Sequence, residues 1–285
     1  MLKKRLIASF IVKDGILVQS IGFKKYLPIG DPKFSIKFIS NWDIDEIILL
    51  DISASSERRS VNTNYLELLS KHCFVPLTVG GGIKNITDVK KIIQKGADKV
   101  SINTNAIANP HLISEIAESF GTQSVVVSID CKKESDGNYQ VYSNSGLNPS
   151  GLTPQKWAKK VEGLGAGEIL LNSIDRDGTK KGYDIDLIQE VVDNVNIPVN
   201  VCGGVGNYDD FLIGYKAGAS SAVASNIFHF IEHSSILAKA HLLRSGIDVR
   251  LDIDANYKMR EFDEFGRLLM LKHNQLVDSD FIKKL

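Results

Sequence analysis

The sequence predicts an α/β chain folded as a (β/α)8 barrel built from two half-barrel repeats, and two observations carry that prediction. Eight short apolar runs alternate with longer amphipathic segments, and one half of the series repeats in the other at a fixed offset. In order, the runs are RLIASFIV, EIILLDI, VPLTV, DKVSIN, SVVVSID, GEILLNS, IPVNV and SAVAS. Their nearly continuous apolar character suits strands covered on both faces, and alternation with helices implies parallel pairing. Between them, DPKFSIKFISN, NITDVKKIIQKG, NPHLISEIAESFG, TPQKWAKKVEGLG and NYDDFLIGYKAG place apolar residues three and four apart. Several open on Asp, Asn or Thr and close on Gly, as helices do. Eight units of about thirty residues fit a barrel of about 250 residues, with an open doubly wound sheet as the rival.

The repeat separates these architectures. LTVGGGIKNITDVKKIIQKGADKVSIN, from Leu77, and VNVCGGVGNYDDFLIGYKAGASSAVAS, from Val199, align without a gap at an offset of 122 residues. Gly81 then falls on Gly203, Gly82 on Gly204, Gly96 on Gly218 and Ala97 on Ala219, and the same offset places Glu46 on Glu168. A duplication of four βα units closes naturally into a ring, whereas an open sheet has edges that such symmetry leaves unexplained. The barrel is assigned to residues 1–250. KKESDGNYQVYSNSG, after the fifth strand, alternates around Asp136-Gly137 and reads as a hairpin insertion at the C-terminal rim. Residues 251–285 carry 13 charges with scattered apolar residues such as Phe262, Phe265 and Leu271, and read as a partly helical appendage.

Composition narrows the function classes. Lys and Arg number 34 and Asp and Glu also 34, so no overall basic field points to nucleic acid or a membrane surface. No apolar run approaches eighteen residues, and MLKKRLIASFIVKDG lacks a secretory pattern, so a cytoplasmic location is expected. Cys73, Cys131 and Cys202 are odd in number and without CxxC spacing, which indicates neither a disulfide framework nor a zinc site.

In such a barrel, chemistry gathers where strands run into the following loops. The third strand ends in Gly80-Gly81-Gly82 and the seventh in Gly203-Gly204, pairs that let backbone approach a ligand and leave N–H groups for oxyanions. The fourth strand ends in Asn103-Thr104 and the eighth in Ser225-Asn226, and the sixth runs into Asp175-Arg176-Asp177-Gly178-Thr179. The repeat therefore predicts two anion sites across one mouth, suited to a ligand phosphorylated at both ends; tight βα turns alone would also use such glycines. Asp130 ends the fifth strand and Asp51 the second, and both are candidate acids or bases with pKa values raised by partial burial, or else rim acids ordering loop N–H groups. Laying RLIASFIVKDG over VVVSIDCKK pairs Ser9 with Ser128 and Ile11 with Asp130, so the symmetry-related position of Asp130 holds isoleucine. His229 and His233 frame an HxxEH string with no third ligand in view, Cys131 and Cys202 lack an adjacent His, and Trp42 and Trp157 read as packing.

VGGGI, DKVSINT, SIDRDGTKKGYD, GEILL, CGGVGN, SNIFHF and LDISASSE resemble the cyclase subunit of imidazole glycerol phosphate synthase, over about residues 1–250. The resemblance implies a (β/α)8 barrel without cofactor or metal. It implies a glutaminase partner, ammonia passing along the barrel axis, and a nucleotide-like substrate with two phosphates at the C-terminal face. Residue by residue, it implies one phosphate at Gly82, Asn103 and Thr104 and the other at Asp177, Gly178 and Gly204, with Ser225 and Asn226 standing where the family has Ala and Ser. Arg5, Glu46, Lys99 and Glu168 match the family's ammonia gate, and Asp98 matches its glutaminase interface. Two acids and two bases at strand starts make a paired set, which is how buried charges are tolerated.

The departures also inform. The family's acid–base pair is an Asp on the first strand and an Asp on the fifth, here Ile11 and Asp130. The Lys of its mobile loop after the first strand is Gln19, and its Thr ending the sixth strand is Asn172. Loss of one catalytic carboxylate costs a factor of about 100 to 10,000. This pattern resembles a branch of the family associated with surface polysaccharides, which works with a glutaminase and a sugar amidotransferase to convert an acetamido into an acetamidino group. The resulting expectation is an ammonia-channelling barrel whose phosphate sites bind an effector or a nucleotide-sugar. The alternatives are an authentic cyclase of histidine biosynthesis relying on Asp130 alone, and a non-catalytic scaffold or regulator of the glutaminase.

Overall fold

A computed structural model describes residues 3–251 except Arg58 and Glu232, together with Ile253, Tyr257, Glu261, Asp263 and Leu269. The appendage read at 251–285 lies almost wholly outside the described residues. The strands are β1 (Arg5–Lys13), β2 (Ile16–Ile21), β3 (Lys25–Gly30), β4 (Glu46–Asp51), β5 (Leu77–Gly80), β6 (Lys99–Ile102), β7 (Val125–Lys133), β8 (Tyr139–Ser143), β9 (Asn148–Pro149), β10 (Glu168–Ser173), β11 (Val199–Cys202) and β12 (Ser221–Ala224). The helices are α1 (Pro32–Asn41), α2 (Ile52–Ser56), α3 (Thr63–Ser70), α4 (Ile86–Gln94), α5 (Thr104–Ala108), α6 (His111–Phe120), α7 (Pro154–Gly163), α8 (Ile185–Val192), α9 (Tyr208–Lys216) and α10 (Ser234–Arg244).

Eight parallel strands, β1, β4, β5, β6, β7, β10, β11 and β12, pair in that order, and β12 returns to β1 to close the ring. Each is one of the eight apolar runs. Side chains alternate across this wall. Leu6, Ala8, Phe10, Leu49, Val79, Val127, Ile169 and Val201 face outward into the main apolar core, while Ile7, Ile48, Val126, Leu170 and Val223 form a separate apolar cluster inside the barrel. This two-sided burial is why the strands read as continuous apolar runs. The repeat extends to element bounds: β4 and β10, β5 and β11, α4 and α9, and β6 and β12 all correspond at the 122-residue offset.

Asp31, Asn85, Asp184 and Asn207 cap α1, α4, α8 and α9 through their side chains. The expected Thr153 cap makes no side-chain bond, and Pro154 instead fixes the first turn of α7. The insertion after β7 is the expected hairpin, with Lys133 opposite Tyr139. The segment read as a loop after the first strand differs from expectation: it is a second hairpin, with β2 antiparallel to β1 and to β3. Asp14 and Gly15, both at positive φ, form the turn into β2.

Candidate functional site

The N-terminal end of the barrel holds a closed ring of charges. Arg5 Nη1 donates to Glu46 at 2.9 Å and Arg5 Nη2 to Glu168 at 3.0 Å, while Lys99 Nζ reaches Glu46 at 2.9 Å and Glu168 at 2.8 Å. Thr78 Oγ1 donates to Glu46 at 2.7 Å, and Asn200 Nδ2 donates to Glu168 at 2.6 Å. Thr78 and Asn200 were not singled out from the sequence, although they are an inward-facing pair at the 122-residue offset. Burial alone would raise the Glu168 pKa, but Arg5 and Lys99 outweigh it and bring the carboxyl down to about 2. Asp98 stands outside the ring on the exposed rim and accepts a bond from the Leu77 amide at 2.8 Å. Above the ring lies the inner apolar layer of Ile7, Ile48, Val126, Leu170 and Val223, with Leu50 and Cys202 packed against it.

Asp130 lies at the opposite end, 7% exposed. One carboxylate oxygen accepts from Ser128 Oγ at 3.0 Å and Asn172 Nδ2 at 2.7 Å, and the other from Asn103 Nδ2 at 3.2 Å. Burial is the largest influence and raises the pKa to about 6, with Asp177 adding to it, against the pull of Asn172 and Ser128. Such a carboxyl can give or take a proton near neutral pH. Strand register shows why it has no counterpart. Asp130 pairs with Asn172 across β7 and β10, and Ile11 pairs with Leu50 across β1 and β4. Leu50 and Asn172 are equivalent at the 122-residue offset, so an acid–amide pair in one half corresponds to two aliphatic side chains in the other.

Asp51, Gly82, Asn103, Thr104 and Asp130 line a cavity of about 110 Å³ with Ile11, Leu50, Phe23 and Tyr26. Asp51 is engaged by the neighbouring loop. It caps α2 through the Ala54 amide at 3.2 Å and pairs with Arg59 at 2.6 Å, so it is the loop-ordering rim acid. It also borders a cavity of about 980 Å³ between the outer barrel wall and α3. The glycine pairs are first required by close loop packing: a Cβ on Gly82 would collide with the Arg59 carbonyl, and one on Gly204 with the Gly182 carbonyl.

Asp177, Gly178, Gly203, Gly204, Ser225 and Asn226 lie outside the lining of that cavity. The β2–β3 hairpin bonds two of them. Ser20 Oγ donates to the Asp177 carboxylate at 2.6 Å, the Phe23 amide donates to it at 3.2 Å, and Asn226 Nδ2 donates to the Ser20 carbonyl at 3.1 Å. Ser225 Oγ and Asn226 Oδ1 are buried without a partner among the described residues. No motif exposed the role of Ser20 or Phe23, because it depends on where the hairpin folds.

The remaining candidates resolve into packing. Burial raises the Cys202 thiol to about 12 and the Cys131 thiol well above its ordinary value, which removes both as thiolate nucleophiles at neutral pH. His229 packs on Phe10 at 5.4 Å and His233 on Trp42 at 5.6 Å, and Glu232 of the same string lies outside the described residues. Trp157 is buried and Trp42 packs partly buried against the core. Among the described residues no helix is long and apolar enough to cross a membrane.

Comparison with known proteins follows this geometry. The family described as Histidine biosynthesis protein matches residues 5–234. A protein of Vibrio vulnificus (strain YJ016), provisionally named imidazole glycerol phosphate synthase subunit hisF2, is 45% identical over 269 residues, covering 94% of this chain and 98% of that protein. Imidazole glycerol phosphate synthase subunit HisF of Pyrococcus furiosus is 46% identical over 253 residues, covering 88% of this chain and 100% of that protein.

Proposed function

This chain belongs to the histidine biosynthesis protein family as a barrel of the HisF type, and from that premise we propose that it relays glutamine-derived ammonia from a glutaminase partner for acetamidino-sugar synthesis in surface polysaccharide. The observation that carries this reading is an intact charge ring beneath an apolar layer, in a barrel with Ile11 at the position equivalent to Asp130, where a two-acid mechanism needs a second carboxyl.

The physical chemistry supports a relay. The ring contains two carboxylates and two cations, every one paired, so it closes the N-terminal end without net charge. Displacing the Lys99 ammonium opens it, while Arg5 stays bonded to both glutamates. The layer above is largely aliphatic and holds no charged group, so an ammonium ion entering it loses hydration with no counter-charge, whereas neutral ammonia crosses at far smaller cost. Asp98, exposed beside the ring, is positioned to meet the glutaminase. At the mouth, Asp130 with Asn103, Ser128 and Asn172 receives the ammonia among hydrogen-bonding groups. A separate sugar amidotransferase then uses it, and the mouth binds a phosphorylated effector or nucleotide-sugar.

The Pyrococcus protein is matched over its whole length, while the Vibrio hisF2 protein matches a larger share of this chain, so part of the sequence beyond the archaeal relative is common to the hisF2 form. Residues 1–250 are proposed as the barrel and 251–285 as a charged C-terminal extension. Purification of the tagged protein from its own cells tests the reading: glutaminase together with a sugar amidotransferase is the expected company, and glutaminase alone contradicts the sugar role.

A second reading is a working cyclase of histidine biosynthesis, favoured by the retained Asp130 and by 46% identity to an entire HisF chain. Reconstitution with the glutaminase and the histidine-pathway substrate separates the two. The relay reading expects cyclisation depressed by a factor of about 100 to 10,000, and turnover at a full family rate overturns it.

A further inference from the structure

We infer that Ser221 and Asn200 form, beside Arg5 in the charge ring, a binding point for one small uncharged hydrogen-bonding molecule, which is ammonia in transit and water at rest. This deepens the ammonia relay and rests on it.

Strand register brings these residues together. Ser221 begins β12 and pairs with Arg5 of β1 on one side and with Asn200 of β11 on the other. All three side chains point into the barrel: Ser221 and Arg5 stand two residues before Val223 and Ile7 of the inner apolar layer, and Asn200 two before Cys202, which packs against that layer. Ser221 is fully buried, and its Oγ has no partner among the described residues. Asn200, 1% exposed, is bonded at both ends of its amide, Nδ2 donating to Glu168 at 2.6 Å and Oδ1 accepting from Arg5 Nη2 at 3.2 Å. Each of those amide atoms has capacity for a second bond. The internal repeat shows that the corner is particular to one side of the ring. At the 122-residue offset Ser221 falls on Lys99 and Asn200 on Thr78. Lys99 spans Glu46 and Glu168, and Thr78 donates to Glu46 at 2.7 Å, so that side is filled by its own bonds. The Ser221 side has a hydroxyl in place of the ammonium and an amide in place of the hydroxyl, and so offers hydrogen-bonding groups that the ring does not use.

Buried polar groups are nearly always satisfied, and a hydroxyl that its own chain leaves free calls for a guest. The Ser221 hydroxyl can donate to the lone pair of ammonia, and Asn200 Oδ1 can accept one of its hydrogens. Water meets the same two groups in the same way. Ammonium has no lone pair for the Ser221 hydrogen, and the Arg5 guanidinium bonded to Asn200 repels it, while Glu168 is already paired with Arg5 and Lys99. The corner therefore selects the uncharged form one inward step below Ile7 and Val223, where the aliphatic layer begins.

Two measurements on Ser221→Ala test the binding point, and one of them needs no ammonia transfer. Chemical denaturation of the full chain reads the resting guest, because removing an orphaned buried hydroxyl stabilises a protein whereas removing one that holds water costs stability. Ser221→Ala is expected to lower the denaturant midpoint, and a midpoint equal to or above wild type overturns the inference. In the complex reconstituted with the glutaminase, the ratio of product formed from glutamine to product formed from free ammonia reads the guest in transit. That ratio is expected to fall about three- to tenfold in Ser221→Ala, the worth of one hydrogen bond. A purely structural loss lowers both rates together and leaves the ratio at the wild-type value, which likewise overturns the inference. The two ideas fail separately. A wild-type complex that carries no amide-15N label from glutamine into product sinks the relay, and the denaturation result still decides whether the corner holds a guest; a wild type that carries label with Ser221→Ala matching its ratio sinks the binding point alone.

Discussion

Asp130 accepts three hydrogen bonds and still titrates near 6, because removal from water outweighs donors that favour its ionised form. A carboxyl whose folded pKa lies above its unfolded value near 4 contributes stability that is fully present below pH 4 and is lost as pH rises to about 6. Denaturant midpoints measured from pH 4 to 7 are therefore expected to show wild type losing about 1 to 3 kcal/mol relative to Asp130→Asn across that window. Parallel profiles would contradict the burial account. Glu168 behaves oppositely: its depressed pKa contributes stability above pH 4 that disappears only as pH falls toward 2. Ile11→Asp restores an acid opposite Leu50, which has no donor to offer it. The substitution is expected to cost about 1 to 2 kcal/mol, and adding Leu50→Asn to recover about 1 kcal/mol as a measured coupling. Gln19→Lys added to Ile11→Asp is the combination expected to raise trace cyclase activity. At this scale the sequence exposed Ile11 as the mate of Asp130 but not the work of Asn172, because an amide reaching across β10 to β7 depends on strand register.

Helix ends and the hairpins show which elements were legible. Asn85 and Asn207 are equivalent caps, each accepting from the amide three residues on, and both were readable from Asn before an amphipathic run. Only Asn207 belongs to a reciprocal capping box, with Asp210 reaching back to the Asn207 amide. Thermal or denaturant unfolding is expected to show Asn85→Ala costing about 1 kcal/mol and Asn207→Ala more, with equal losses arguing against a contribution from the box. The β2–β3 hairpin was harder to see. KDGIL contains an Asp-Gly turn signal, but Pro28 and the exposed positions of β3 break the alternation that marks a strand. Its tertiary role, the clasp on Asp177, has no local signature at all.

The 122-residue offset was legible as a repeat of glycines and appears in the molecule as matching strand and helix bounds in a closed ring. What the offset did not expose is functional asymmetry. One half keeps Asp130 and Asn172 where the other has Ile11 and Leu50. Closure also stacks the charge ring, the aliphatic layer and the mouth along one axis, and that stacking makes a relay between two ends of the molecule physically sensible. Lys99→Ala leaves Glu46 and Glu168 sharing Arg5 alone and widens the N-terminal end. The variant is expected to keep glutamine hydrolysis in the complex, to lower product formation from glutamine because ammonia leaks to bulk at an end that no longer closes, and to recover it with free ammonia. Product formation from glutamine equal to wild type would mean that these charges do not gate transfer.

The central claim is passage of ammonia through this barrel. Its most direct test supplies amide-15N-labelled glutamine to the reconstituted complex in the presence of excess unlabelled ammonium and measures the isotope in the product nitrogen. Passage through the barrel predicts product that stays predominantly labelled; label diluted to the composition of the bulk ammonium pool would contradict it.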